Sequence, residues 1–213
     1  NMSGMFKDCI NLKSLDISHF NTTNVQDMSY LFSGCYSLTS LNLENLDTRN
    51  VKDMTFMFQE MSSLISINLE KFDTREVTDM YGMFQDCSEL KSLDLSNFDT
   101  SKVTDMSLMF HSLSNLESLL IDKFNTANVV DMSYMFFYAN KIKELNLFNF
   151  VTSNVVDMSY MFSYCQKLTS LDLSNFNTIN VEKMDFMFYY ARDLKYLNVN
   201  SFDIRKVEDM SFT

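Results

Sequence analysis

Hydrophobic and polar positions recur along this chain of 213 residues with a period of 26. A column is here the set of residues at intervals of 26, and a row is one repeat. Columns of Met, Phe and Val run through the sequence without insertions, as at Met28, Phe32 and Val51. A fixed period of this kind is typical of a solenoid in which each repeat packs against its neighbours. We therefore interpret residues 1–213 as one solenoid domain of about eight repeats.

Each row predicts a strand, a turn and a short helix. The segment Leu90–Leu95 reads L-x-x-L-x-L, and its alternation predicts a half-buried strand of about five residues. Further along a row, apolar residues fall at i, i+3, i+6, i+7 and i+10, as at Val25, Met28, Leu31, Phe32 and Cys35. This spacing predicts a helix with one apolar stripe. The fold class is accordingly α/β, a right-handed solenoid with a concave parallel sheet and short convex helices.

The composition raises the question of what turns the backbone, because the chain has 3 Gly and 0 Pro. One column holds Asp27, Asp53, Asp79, Asp105, Asp131, Asp157 and Asp209. Each Asp precedes the predicted helix, and we expect these residues to be helix N-caps. A calcium ladder is the alternative, although the Asp is followed by an apolar Met where a Gly-rich acidic loop would be needed. A column of Thr, such as Thr100, is expected to bond local backbone groups in the turns.

Charge limits the classes of partner. The net charge is −11 and no run of Lys or Arg occurs, which argues against nucleic acid as a partner. No stretch approaches the roughly 20 apolar residues of a membrane span, so we expect no direct membrane insertion. Since neither end has the polar capping repeat that solenoids use, we expect a fragment of a longer chain, and association through uncapped ends stays open.

The repeat resembles that of a known group of proteins. Residues 79–104 read D-M-Y-G-M-F-Q-D-C-S-E-L-K-S-L-D-L-S-N-F-D-T-S-K-V-T, and similar units cover the whole chain. This motif resembles the 26-residue repeat of bacterial and mycoplasmal surface proteins in the BspA-like leucine-rich-repeat group. The resemblance implies a leucine-rich-repeat solenoid at a cell surface or in the extracellular space, often associated with adhesion to host or matrix proteins. It carries over no binding residue, because the shared positions are the apolar ones.

The sulfur-containing residues favour packing roles. The cysteines share one column with Met61, Leu113, Ala139 and Ala191, which indicates buried free thiols at Cys9, Cys35, Cys87 and Cys165. A disulfide between Cys9 and Cys35 stays open for an exported chain, whereas the absence of a C-x-x-C pair argues against zinc. The 17 Met fall in three columns of the apolar stripe, so core filling is favoured over a Met-rich binding surface.

Catalytic chemistry is not expected. His19 and His111 lie in different columns, and neither has a repeating partner that could place a base against a nucleophile. We expect a protein that is not an enzyme and has no cofactor and no metal.

Two varying surfaces are candidates for binding. The outward positions of the concave face include Asp94, Leu120, Asp122, Phe148, Asp172 and Tyr196. This face suits an extended or basic partner, and a merely solvated sheet is the alternative. The last rows also carry aromatic residues on the convex face at Tyr134, Phe137, Tyr138, Tyr160, Tyr164, Phe186, Tyr189 and Tyr190. These form a candidate contact patch, with lateral packing between neighbouring helices as the alternative.

The predicted function is a non-enzymatic protein-binding or adhesion module of a surface protein. Its partner would be a host protein, a matrix protein or a neighbouring subunit. A structural spacer or assembly subunit of a larger complex, such as a cell-surface layer or a virion, is the alternative. An intracellular or secreted interaction scaffold also stays open.

Overall fold

Four short β-strands form one side of the stack in the computed structural model, which describes residues 1–213. They are β1 (Ser92–Asp94), β2 (Ser118–Leu120), β3 (Ser170–Asp172) and β4 (Tyr196–Asn198). Strand β1 pairs with β2 and β3 with β4, both in parallel and with partners 26 residues apart. The predicted strand is confirmed in these four rows, where it is three residues long. Its middle residue is buried in β1 and β3, partly buried in β2 and exposed in β4. We call this side of the stack the strand side.

The prediction of short helices is wrong, since the chain contains no helix. The segment of each row from the Asp column to the Cys column, such as 27–35, is a succession of turns. The fold is therefore a solenoid of strands and turns, without the α component of the expected α/β class. We call the side formed by these segments the turn side.

Hydrogen bonds between rows explain why a helix does not form. In one representative row, every second N–H donates to a carbonyl of the next row: Met28 to Asp53, Tyr30 to Thr55, Phe32 to Met57 and Gly34 to Gln59. The N–H groups between them donate three residues back, as Leu31 does to Met28 over 3.2 Å. A helix would use the carbonyl four residues back and leave none for the neighbouring row.

The spacing of apolar residues nevertheless resembles that of a helix. Successive turns return a side chain to the core every three or four residues, and Met28, Leu31, Phe32 and Cys35 all have zero exposure. Periodicity alone does not distinguish this arrangement from an amphipathic helix. The distinguishing feature is the backbone conformation of the residues that face outward.

Two residues in each turn segment have a left-handed backbone. The third residue of the Met28–Leu31 turn is Tyr30, with φ of 56°, and that of the Phe32–Cys35 turn is Gly34, with φ of 72°. Positive φ at this position is the requirement of a type II turn. All three glycines of the chain lie in these two columns, and fourteen other residues share the conformation.

The seven Asp predicted as helix caps have a different role. Each accepts the backbone N–H two residues further on, over 2.8–3.0 Å, and so closes an Asx turn. The residues are Asp27, Asp53, Asp79, Asp105, Asp131, Asp157 and Asp209. Asn1 makes the same bond to Ser3, whereas Lys183 places its ammonium 3.2 Å from the Asp157 carboxylate. The N-cap prediction is corrected, because no helix follows these residues.

The Thr residues form hydrogen bonds between neighbouring rows. The prediction that they bond local backbone groups within a turn is therefore wrong. The Thr100 hydroxyl donates to the carbonyl of Asn125 over 3.0 Å and accepts its N–H over 2.8 Å. Six further Thr residues make the same pair of bonds to the residue 25 positions later. Because these side chains are buried, each one holds two rows together through a backbone group that would otherwise lack a partner.

One continuous core fills the space between the two sides. It contains 54 buried residues, and 14 of the 17 Met have zero exposure. The prediction that Met fills the core is therefore confirmed for these residues, whereas Met5 and Met210 are exposed and Met2 is half-buried. The Phe column adds a stack of rings, with Phe32 and Phe58 centred 5.8 Å apart. Since the chain forms no helix, it has none that could span a membrane.

Replacing Thr100 with Val should lower the free energy of unfolding by about 2 to 3 kcal/mol, because the N–H and carbonyl of Asn125 would lose their partner. Thr100→Ser keeps the hydroxyl and should lose about 1 kcal/mol for the missing methyl group. Urea unfolding followed by circular dichroism measures both. A Val variant as stable as the wild type would contradict the proposed role of the hydroxyl.

Hydrogen peroxide should oxidise the folded protein at Met5 and Met210 at least about tenfold faster than at the 14 fully buried Met, since oxidation follows exposure. Mass spectrometry of peptides taken at successive times gives the rate at each site. The urea-unfolded protein is the control, in which all 17 Met should react alike. Fast conversion of the core Met in a protein that stays folded would be inconsistent with this packing.

Candidate functional site

Aromatic rings of successive rows stack on one another along the turn side. Tyr134 and Tyr160 have centroids 4.5 Å apart and planes within 6°, and Tyr160 and Phe186 have centroids 4.7 Å apart and planes within 7°. Phe212 continues this stack at 4.7 Å from Phe186. The structure thus brings together residues that are 26 positions apart in sequence, as the column pattern predicted.

A second stack runs beside the first. Tyr138, Tyr164 and Tyr190 follow one another with centroid distances of 5.7 and 5.0 Å. Phe137 and Tyr189 each form a T-shaped contact with Tyr164, with centroids 5.6 Å apart. All eight predicted aromatic residues therefore belong to one cluster, which together with Phe212 we call the aromatic surface.

Stacking determines which parts of these rings are free. In the first stack each ring covers a face of the next. Tyr138 and Tyr190 remain 39% and 41% exposed, whereas Tyr134, Tyr160 and Phe186 are half-buried. Packing between neighbouring rows thus accounts for much of the aromatic content, as the alternative interpretation predicted. The packed elements are turn segments and not helices. The exposed parts of Tyr138, Tyr190 and Phe212 are left over for contact.

The backbone beneath the aromatic surface is left-handed at Tyr134, Tyr138, Tyr160, Tyr164, Phe186 and Tyr190. A non-glycine residue loses roughly 1–2 kcal/mol in this conformation. Stacking and the bonds between rows offset that loss. Gly82 illustrates the crowding, because a Cβ there would lie 2.3 Å from the Phe56 ring of the preceding row.

The sequence analysis did not predict Phe212, which belongs to the aromatic surface, or His111, which packs beside it. The His111 ring lies parallel to that of Phe137, with centroids 4.9 Å apart. Burial lowers the pKa of His111, although the Asp86 carboxylate 3.8 Å away acts in the opposite direction. Counting in steps of 26 would have found both residues, since each shares a column with a predicted aromatic residue.

The candidate residues of the strand side are all exposed. Leu120 ends β2 opposite Asp94, and Tyr196 begins β4 opposite Ser170. Hydrogen bonds from Ser96 lower the pKa of Asp94, and those from Ser174 lower the pKa of Asp172, so both carboxylates are charged at neutral pH. Phe148 is 79% exposed. Val151, an exposed residue in a column of Asp and Asn, was not predicted.

The cysteines are free thiols, and three of the four are buried. Cys35, Cys87 and Cys165 donate their S–H to backbone carbonyls of the preceding row, over 3.0–3.2 Å. Burial raises the pKa of Cys87 and Cys165 to about 12 and that of Cys35 to about 11. The prediction of buried free thiols is confirmed for these three, whereas Cys9 is half-buried.

The Asp column places like charges in successive rows. Asp105 lies between Asp79 and Asp131, and each forms a parallel bridge with the next. Burial is the largest cause that raises the pKa of Asp105, and both neighbouring carboxylates add to it. Hydrogen bonds from Ser107 act in the opposite direction. The charge of Asp105 is therefore unfavourable, although the bond that its carboxylate accepts is favourable.

Comparison with known proteins identifies one family. A family profile described as "Mycoplasma protein of unknown function, DUF285" matches residues 1–119, 35–143 and 115–213. These matches confirm the resemblance to the bacterial and mycoplasmal 26-residue repeats. No curated protein matches the chain. A solved leucine-rich-repeat protein from Bacteroides ovatus is 15% identical, with coverage of 97% of this chain and 78% of its own and a TM-score of 0.37, which is too low for an inference.

Asp105→Asn should stabilise the protein at pH 7, because Asn can still accept the Ser107 N–H but removes the charge. Asn1 makes this bond in the same column. The pKa of Asp105 is raised in the folded protein above its ordinary value of 3.8. The contribution of Asp105 to the free energy of unfolding is therefore fully present below about pH 3.8 and is lost as the pH rises through the pKa of the folded state. The advantage of Asn should therefore disappear in acid. Asp105→Ala, which also loses the Asx turn, should be about 1 kcal/mol less stable than Asp105→Asn in urea unfolding.

Proposed function

Because the chain belongs to the DUF285 family of Mycoplasma proteins, whose function is unknown, we propose a function from its surfaces. We propose that it is a non-enzymatic protein-binding and adhesion module, displayed at the cell surface or in the extracellular space. Its ligand contacts the exposed columns that vary from row to row. The columns of buried Met, Phe and Thr build the stack and leave no side chain free for a partner.

The observation that carries this proposal is the aromatic surface. It crosses the last rows without a break, from Tyr134 to Phe212, and its most exposed rings are Tyr138, Tyr190 and Phe212. Tyr is enriched at protein interfaces, and large exposed apolar patches are uncommon on monomers. The equivalent columns in the first rows hold Gly4, Asp8 and Glu60 as well as Tyr30 and Phe56, so the scaffold does not require an aromatic residue in every row.

Ring orientation supports a protein ligand. In the first stack, the face-to-face packing of Tyr134, Tyr160 and Phe186 covers the ring faces between neighbours. The second stack is more open, because the Tyr138 and Tyr164 rings are tilted by 45° and Arg192 lies 4.6 Å over the ring of Tyr190. Carbonyl and carboxylate groups of a protein surface suit edges and hydroxyls. With a net charge of −11, the chain is poorly suited to nucleic acid.

Replacing Tyr138, Tyr164 and Tyr190 with Ser should reduce binding at least about tenfold, a loss of about 1.4 kcal/mol. The fold should persist, because Ser112 occupies the same column with φ of 58°. Loss of the stacking pairs should lower the free energy of unfolding by about 2 kcal/mol. Binding of the labelled chain to cultured host cells and to surfaces coated with extracellular matrix is the measurement.

The matched control is Tyr36→Ser, which removes a tyrosine of similar exposure, 39%, outside the aromatic surface. This variant should bind as the wild type does. Analytical ultracentrifugation of the same proteins tests the assembly alternative, in which the triple variant loses self-association and not ligand binding. A folded triple variant with both properties unchanged would leave the aromatic surface with a packing role alone.

A further inference from the structure

Two columns of Asx turns are each interrupted at a single row. In the first column, seven rows have an Asp or Asn that accepts the N–H two residues further on, over 2.9–3.2 Å. The remaining row has Leu120 at this position. In the second, seven rows make the same bond over 2.9–3.2 Å, and Val151 is the departure. Both departures are apolar and lie in adjacent rows.

An exposed aromatic residue lies between the two departures in sequence. Phe148 is 79% exposed, Leu120 is 46% exposed and Val151 is 45% exposed. The column of Phe148 otherwise holds polar residues: Ser18, Glu44, Glu70, Ser96, Asp122, Ser174 and Asn200. We call Leu120, Phe148 and Val151 the corner patch, because they lie at the end of the strand side and in the turn that follows it.

Stability of the fold does not explain these three residues. Leu120 and Val151 each replace a side chain that closes an Asx turn, and they remain too exposed to gain much from burial. The backbone around them is ordinary for the stack, since Val151 keeps both bonds to Thr126 and Phe148 keeps its bond to Asn146. Seven other rows show that polar residues satisfy the same backbone.

Register places the three side chains near one another. Leu120 lies at the end of β2, and Phe148 lies one row later and two residues further along. The row of Phe148 forms no strand, but parallel bridges join successive rows of the stack. With a row spacing of about 4.8 Å and about 3.3 Å per residue, the Cα atoms of Leu120 and Phe148 are roughly 8 Å apart. Val151 follows Phe148 by three residues across the turn that the Phe150 N–H closes on Leu147 over 3.0 Å. One short segment of a partner can contact all three.

The charges around the corner patch are mainly negative. Asp94 lies opposite Leu120, Asp122 precedes Phe148 in its column, and Asp172 lies in the next row. Lys123 is the basic residue among them, whereas Lys141 and Lys143 lie before the strand segment, at its opposite edge. An apolar centre with acidic neighbours complements a segment that has apolar anchors and positive charges.

We infer that the corner patch is a docking site for a basic segment of another protein that carries large apolar side chains. This inference rests on the proposed binding function and adds the chemistry of the partner. The apolar anchors cover Leu120, Phe148 and Val151, and Lys or Arg residues of the segment meet Asp94, Asp122 and Asp172. It does not involve the aromatic surface.

The test uses a corner variant that takes its residues from the chain's own columns: Leu120→Asn, Phe148→Ser and Val151→Asn. Short random peptides displayed on phage are selected on the immobilised full chain. Selected peptides should contain large apolar residues beside Lys or Arg, and their affinity for the corner variant should fall at least about tenfold. Binding to the wild type should weaken as salt rises. The urea midpoint of the corner variant should equal or exceed that of the wild type, because two Asx turns are restored.

Several outcomes would overturn the inference. These are the absence of selected peptides, the selection of acidic or purely polar peptides, equal binding to the corner variant, and a corner variant less stable than the wild type. The variant with Ser at Tyr138, Tyr164 and Tyr190 is measured with the same peptides and should bind them normally. Peptides that lose binding to this variant and keep it with the corner variant would support the aromatic surface and refute the corner patch.

Discussion

The structure depends on one constraint: every second backbone N–H of the turn segment must find a carbonyl one row away. Met28 meets Asp53 and Phe32 meets Met57, and the same pairing recurs in later rows. An inserted residue would shift every later donor past its acceptor, which explains why the period of 26 has no exception. The buried Thr hydroxyls repeat the same dependence outside the turn segment, since each bonds backbone groups of the next row. A row is therefore complete only when its neighbour is present.

Column patterns in the sequence predicted the solenoid, the buried Met, Phe and Val, and the strand segment of Leu93. They did not predict the turn segment. Apolar spacing at Met28, Leu31, Phe32 and Cys35 fits both a helix and a succession of turns, because both return a side chain to the core every three or four residues. The placement of all three glycines in two columns carried the missing information, since glycine favours the positive φ that a helix does not allow. Because Tyr and Phe occupy the same columns in other rows, the preference for positive φ was not evident from the sequence.

The candidate surfaces were predictable to different degrees. Stacking of Tyr134 on Tyr160 follows directly from a repeat of fixed length, because equal positions in adjacent rows must meet. How much of each ring stays exposed depends on the packing of neighbouring rows in three dimensions, which the repeat length does not determine. The corner patch is visible only when equivalent residues of different rows are compared. Val151 differs from the seven equivalent residues, which are all Asp or Asn. Internal repetition thus serves as a reference against which single departures can be read.

The pattern of hydrogen bonds between rows also bears on how such a chain can change over generations. Duplication or deletion of 26 residues leaves every donor opposite an acceptor, whereas a change of any other length does not. The number of rows can therefore vary while the fold persists. A copied row carries its exposed residues with it, so that duplication of an aromatic row lengthens the ring stack in one step. The successive Tyr and Phe of the last rows have the arrangement that this process would produce.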